Sequence, residues 1–146
     1  MIEGPVIDCL MKDDAVQAAC QGRVRPDKAL QSELPPYLIV THNGTQRPKT
    51  FGGVASISED TITLEAYGRN KAEAQRLAKA ADAVMVGDRA KGTKGLTNQK
   101  VGQWFVQGCF SDDAVDGMIP DPHADDAGRW VATLDYSLWY AKVTTP

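Results

Sequence analysis

The sequence predicts an α+β fold: a single-layer, mostly antiparallel sheet of four to five strands with helices packed on one face. Three observations lead to this prediction. One strong helix pattern lies between two pairs of strand patterns. Successive strand patterns that no helix separates favour antiparallel pairing, because parallel pairing needs a long crossover. Two long polar connections, residues 43–56 and 111–128, interrupt the strands and are predicted to be loops.

The helix over residues 70–86 is the clearest element. Asn70 and Glu73 have the spacing of a capping box, and Gly87 is placed to end the helix. Apolar residues recur at helical spacing on one face: Ala74, Leu77, Ala78, Ala81, Val84 and Met85. Leu77 is the large residue in the middle of this small-residue face, so we expect the helix to lie close to the sheet.

The N-terminal region is predicted to hold two short helical segments. The first opens at Pro5, a residue that is favoured in the first turn, and stops near Lys12. Asp14, with Gln17 three residues later, is expected to cap the second segment, which ends at Gly22.

The strand patterns follow the same logic of periodicity. A brief extended stretch at residues 23–25 precedes the apolar run YLIVT at residues 37–41, which is typical of a central strand. Ile62, Leu64 and Ala66 alternate with polar residues, which is typical of a half-exposed strand. Residues 101–110 and 130–143 are predicted to be two long strands that form a hairpin around the acidic loop.

Length and composition bound the class of protein. The 146 residues predict one domain over residues 1–146, and 42% hydrophobic with 24% charged residues is typical of soluble globular chains. The beginning, MIEGPVIDC, lacks the basic flank and the apolar stretch of a signal peptide. No segment is apolar enough to span a bilayer, so we expect no association with a membrane. The three cysteines are expected to be reduced.

Charge argues against sequence-specific nucleic-acid binding. The net charge is −3, and the segment 111–128 contains six aspartates and neither lysine nor arginine. The basic residues between 89 and 100 are spread over a glycine-rich loop rather than gathered on one face.

No catalytic or cofactor-binding motif is found. The two histidines, His42 and His123, are far apart in the chain, and the aspartates of residues 112–126 match a calcium loop poorly. The segment GDRAKGTK has the lysine and threonine of a phosphate loop in the wrong order. We therefore predict no enzyme, no cofactor and no metal.

The two long loops are the candidate partner-binding segments. Arg47, Lys49 and Phe51 lie between glycines in the first loop, and Met118 and Ile119 lie among aspartates in the second. Apolar residues in polar loops favour contact with another chain. The alternative, mobile loops whose apolar residues pack back on their own domain, stays open.

The order of segments resembles the tail terminator, or tail-completion, family of long-tailed bacteriophages. The similarity lies in an N-terminal helix followed by GRVRPDKALQSELPPYLIVT, then TITLEAYGRNKAEAQRLAKAADAVM, and a final strand VATLDYSLWY. The 18-residue acidic segment is longer than the turn expected at that place.

The resemblance implies a non-enzymatic virion protein that forms a hexameric ring. Such a ring caps the tail tube, ends tail polymerisation and provides the head-joining surface. It implies three partners: other copies of the chain, the major tail tube protein and a head-side connector protein. It places the protein at the head-proximal end of the tail, after assembly in the host cytoplasm.

Three alternatives stay open. The first is a head-to-tail connector of the same particle. The second is a metal-dependent hydrolase that uses the acidic segment, and the third is a peptide-binding adaptor.

Overall fold

The computed structural model describes residues 2–27, 34–46, 49–50, 53–54, 57–87, 92, 95–111, 121–126 and 128–142. Three helices and nine strands lie within these residues. Their order is α1 (Glu3–Lys12), α2 (Asp14–Cys20), β1 (Val24–Pro26), β2 (Tyr37–Gln46), β3 (Lys49–Thr50), β4 (Gly53–Val54), β5 (Ser58–Gly68), α3 (Lys71–Val86), β6 (Gln99–Val101), β7 (Trp104–Ser111), β8 (His123–Ala124) and β9 (Trp130–Lys142). The α+β class is as predicted.

The main sheet has seven strands rather than the four to five that were expected. Its order is β1-β2-β5-β9-β7-β6, and β8 also pairs with β9. Among the described strand pairs of this sheet, only β1 and β2 are parallel, so the sheet is mostly antiparallel as predicted. The additional strands, β6 and β8, have three and two residues. Strands this short show no alternating pattern from which they could be predicted.

The prediction of a loop over residues 43–56 was wrong in part, because residues 43–46, 49–50 and 53–54 lie in strands. Strand β2 continues through Gln46 and pairs with β5, with a register shift between His42 and Gly44, and β3 and β4 form a small hairpin of their own. A β-bulge at Asn43 explains the error, because Asn43-Gly44 has the sequence of a turn but here adds one residue to a strand. In the predicted loop over residues 111–128, Ser111 ends β7 and β8 pairs with β9.

Helix α3 matches the prediction closely. The Asn70 side chain accepts a hydrogen bond from the Glu73 backbone nitrogen at 2.8 Å. The Glu73 carboxylate accepts from the Arg69 backbone nitrogen, one residue earlier than in a standard capping box. Gly87 follows the last turn with a φ of 88°, a conformation that favours glycine.

The N-terminal helices differ from the prediction in detail. Helix α1 begins at Glu3 rather than Pro5, and Asp13 rather than Asp14 caps α2 by accepting from the Val16 backbone nitrogen. The Gln17 side chain donates to the carbonyl oxygen of Met11 and takes no part in the cap. The two helices are separated by Asp13 alone, because this one residue has an extended rather than a helical backbone conformation.

One face of the sheet carries the core. Alternate residues of the central strands point toward the helices, and they pack with α1, α2 and α3 in one apolar cluster. The strand members of this cluster include Leu38, Val40, Ile62, Leu64, Ala66, Ala132, Leu134, Tyr136, Leu138 and Tyr140. None of the described helices has the length and apolar character that a membrane crossing requires.

Candidate functional site

The face of the sheet opposite the helices is called the open face here. It consists of the alternate residues of the central strands that point away from the core: Tyr37, Ile39, Thr41, Thr61, Thr63, Glu65, Tyr67, Val131, Thr133, Asp135, Ser137 and Trp139. Most of these residues are partly exposed. Threonines and aromatic rings dominate, which is a composition suited to contact with another protein surface.

Two exposed phenylalanines extend the open face onto β7. Phe110 is paired with Ser137 and is 57% exposed, and Phe105 is paired with Ala141 and is 38% exposed. The Phe110 ring lies across Gly108, where an added Cβ would be 2.7 Å from the ring. Large apolar side chains held at the surface in this way favour an interaction site.

An arginine network occupies the other side of the open face. Arg129 donates to the Tyr37 hydroxyl at 2.7 Å and to the Asp125 carboxylate at 2.8 Å. Its guanidinium lies 5.1 Å from the centre of the Tyr67 ring, and the Tyr37 and Tyr67 rings stack at 4.9 Å. Burial and the neighbouring Glu65 carboxylate raise the pKa of Tyr67, so its hydroxyl stays protonated at neutral pH.

A polar cluster, in which Asp60 and Tyr140 are buried and Glu3 and His42 are partly exposed, lies on the helix side of the sheet. This cluster, called the His42 cluster here, consists of Glu3 on α1, His42 on β2, Asp60 on β5 and Tyr140 on β9. His42 Nε2 lies 3.0 Å from Asp60 Oδ2, and His42 Nδ1 lies 3.7 Å from Glu3 Oε2. The Tyr140 hydroxyl donates to Asp60 Oδ1 at 2.8 Å, and burial with this hydrogen bond raises the pKa of Tyr140.

The bulge in β2 builds part of this cluster. His42 is opposite Ile62, and Thr45 is opposite Asp60, so both side chains point to the helix side although they are three residues apart. The Thr45 hydroxyl oxygen lies 3.2 Å from His42 Nε2. If the strand had no bulge and every residue from 42 to 45 alternated strictly, these two side chains would lie on opposite faces.

The side chains of the predicted partner-binding residues are not among those that the structure describes. Arg47, Phe51, Met118 and Ile119 are not among the described residues, and only the backbone of Lys49 is described, in β3. Residues 112–120 of the acidic segment are also outside it. The role of these residues stays a prediction.

The His42 cluster was not predicted from the sequence, although the sequence contains a signal for part of it. Asp60 continues the alternation of Ile62, Leu64 and Ala66 by one more step, which places a carboxylate on the buried face. A charged residue at an inward position is uncommon unless it has a partner. No local pattern, however, indicated that His42 and Glu3 would be its neighbours.

The family model described as "Tail completion protein gp17" matches residues 4–140. This chain belongs to that family. Among solved structures, a chain of the "Virion of native gene transfer agent (GTA) particle" matches with a TM-score of 0.58 and 14% sequence identity. The match covers 93% of this chain and 91% of that chain, so the two share a fold over nearly their whole length. The comparison with curated proteins found no match.

Membership in the tail completion family identifies a bacteriophage tail protein with a structural role in the virion. The resemblance seen in the sequence is therefore confirmed. The family is one of structural proteins, which indicates a function other than catalysis. We therefore interpret the open face and the His42 cluster in terms of assembly and stability.

Proposed function

We propose that this tail completion protein forms a ring that caps the tail tube, ends tail polymerisation and provides the surface that joins the head. The family match over residues 4–140 carries the proposal. The shared fold with a chain of a gene transfer agent virion supports it, because that chain is part of an assembled particle. The ring would lie at the head-proximal end of the tail, after assembly in the host cytoplasm.

The open face offers the two unlike surfaces that a ring requires. Subunits in a closed ring of more than two copies meet head to tail, so each contributes two different patches. Phe105 and Phe110 form an apolar patch on β7, whereas Arg129 and the stacked tyrosines form a polar aromatic patch on the other side of β5 and β9. We assign the apolar patch to the contact with a neighbouring subunit.

The two predicted binding segments are assigned to the other partners. Arg47 and Lys49 would pair with acidic groups of the tail tube protein while Phe51 is buried between the two chains. Met118 and Ile119 would contact a second chain, on the tube or on the head-side connector. Because exposed charge pairs are screened by salt, tube attachment should weaken as ionic strength rises.

Electron microscopy and mass measurement test the ring. We expect particles of about six subunits, as the resemblance to tail terminators implies, either in the purified protein or after mixing with tail tubes. Tubes assembled with the protein should be capped at one end and shorter than tubes without it. If the protein is added after the tubes have finished growing, their ends should be capped without a change in tube length, because capping stops growth only during polymerisation.

Two results separate the proposal from its alternatives. A ring that leaves tube growth unaffected would indicate a head-side connector instead. A protein that stays monomeric at high concentration and does not bind tubes would reject the proposed function.

Matched variants locate the contacts. Phe110→Ser should abolish the ring while circular dichroism stays unchanged, whereas Leu34→Ser, at an apolar residue that is 73% exposed, should leave the ring intact. The double variant Arg47→Ala, Phe51→Ala should retain the ring and fail to cap tubes. Equal capping by this double variant and the natural sequence would remove the first segment from the tube contact.

A further inference from the structure

We propose that Glu3, His42 and Asp60 bind one divalent transition-metal ion of the zinc class, which ties the first turn of α1 to β2 and β5. This inference rests on the buried cluster alone and does not depend on the proposed ring. One ligand atom from each of the three residues can be chosen so that all lie within 4.8 Å of one another.

The donor set selects the class of ion. An imidazole nitrogen with two carboxylates suits zinc and its neighbours among the first-row metals. Calcium takes six to eight oxygen ligands, and magnesium keeps several waters in an octahedral shell, so neither ion fits a buried histidine site well.

The approach of His42 to Asp60 has the geometry of two ligands of one ion. His42 Nε2 and Asp60 Oδ2 are 3.0 Å apart, yet Asp60 Oδ2 accepts no hydrogen bond within the described residues. Two donors that each lie about 2.1 Å from an ion, at angles of about 90° to 110°, are about 3.0 to 3.4 Å apart. The observed separation falls in this range. It is not a hydrogen bond, because the His42 ring nitrogen and Asp60 Oδ2 do not have the alignment that an N–H···O bond requires.

The charges of the cluster also call for a cation. Asp60 is fully buried, and Glu3 Oε2 is a buried atom without a hydrogen-bond partner in the described part of the chain. Among the described residues, the ion pairs of these two carboxylates involve only His42. A protonated imidazole would balance one negative charge, whereas a divalent ion would balance both, and uncompensated buried charge is costly.

Tyr140 positions the site. Its hydroxyl donates to Asp60 Oδ1, which leaves Oδ2 directed toward His42. Partners of this kind commonly hold metal-binding carboxylates in orientation. The Thr45 hydroxyl hydrogen-bonds His42 Nε2 at 3.2 Å; an ion on Nε2 would replace this bond and leave the hydroxyl beside a fourth coordination position.

Isothermal titration of chelator-treated protein with Zn²⁺ tests the proposal, and Co²⁺ absorption in the visible range reports the geometry of the ligands. We expect one ion per chain. Glu3→Gln and Asp60→Asn should each weaken binding at least tenfold, and His42→Gln should weaken it more. Asn at position 60 keeps an acceptor for Tyr140, so this variant is expected to fold.

The second histidine of the chain provides a matched control. His123 is exposed on β8, and His123→Gln should bind Zn²⁺ as the natural sequence does. At one Zn²⁺ concentration, the unfolding temperature of the natural protein and of His123→Gln should rise by more than that of Glu3→Gln. Absence of saturable binding, or equal affinity of His42→Gln and His123→Gln, would overturn the proposal and leave a cluster held by hydrogen bonds and charge alone.

Discussion

Tyr136 on β9 donates its hydroxyl hydrogen to the Asp82 carboxylate on α3, at 2.5 Å and within the core. This bond joins the centre of the sheet to the helix that covers it. Burial raises the pKa of Asp82, although the bond from Tyr136 opposes that rise. Burial, together with the bond to Asp82, raises the pKa of Tyr136 so that the phenol stays protonated.

The raised pKa of Asp82 predicts a pH-dependent stability difference between the natural protein and Asp82→Asn. Above the raised folded-state pKa, the natural protein keeps a poorly solvated charge. As the pH falls toward the unfolded-state pKa of about 3.9, the folded state takes up the proton first and gains stability relative to the unfolded state. Asp82→Asn lacks this gain, so its stability relative to the natural protein should fall as the pH falls.

Urea unfolding of the two proteins at several pH values measures this difference. Contributions of other carboxylates cancel in the comparison because both proteins contain them. A difference that does not change with pH would show that Asp82 titrates normally.

Leu77 is expected to be essential for the packing of α3. Its side chain is fully buried in the core, so Leu77→Ala should cost about 2 to 5 kcal/mol of unfolding free energy. Leu77→Asp should cost more, because it also buries a charge. Lys79→Ala, at an exposed position of the same helix, serves as the control and should change stability little. Thermal unfolding that is unchanged in Leu77→Asp would contradict the observed orientation of the helix.

Gly68 is expected to tolerate no side chain. An added Cβ would lie 2.5 Å from the Ala74 backbone nitrogen, at the point where β5 meets the start of α3. Backbone cannot move aside as a flexible side chain can, so Gly68→Ala should cost about 1 to 3 kcal/mol or more. Gly44→Ala is the control, because no atom of the described residues lies within 4 Å of its added Cβ. Equal stability of the two variants in urea would contradict this close approach.

Arg129→Lys should weaken the arginine network of the open face. A lysine cannot reproduce the planar fork that contacts Asp125 and Tyr37 together. Since the side chain is partly exposed, the expected loss is about 1 kcal/mol, with reduced dependence of stability on salt. Arg69→Lys, whose arginine pairs with Glu73 on the surface, is the control and should show little change. A loss of stability in Arg129→Lys no larger than that in Arg69→Lys would contradict the expected contribution of the network.

The sequence predicted the elements that are marked by their own residues, through helix caps or a long periodic pattern. Asn70, Glu73 and Gly87 mark both ends of α3, and the apolar spacing between them fixes its buried face. The long strands were also predictable, because β5 and β9 alternate over many residues. A two-residue strand such as β8 has no periodicity, so only its partner β9 reveals it.

The neighbours in the His42 cluster could not be predicted, because they depend on register across three strands and a helix. The inward position of Asp60 follows from the pattern of β5. That His42 lies beside it follows from the pairing of β2 with β5 and from the bulge after His42, and neither is specified by nearby residues. Register and bulges are set by the whole sheet.

The bulge at Asn43 also divides β2 into two halves of opposite parity. Before it, even-numbered residues such as Leu38 and Val40 face the helices; after it, odd-numbered Thr45 does. If β2 had no bulge and Asn43 took a place in the ladder, strict alternation would move Thr45 to the other side of the sheet and bring Gln46 to the helix side. A single peptide unit thus sets which chemistry the end of this strand presents to the core and which it presents to a neighbouring molecule.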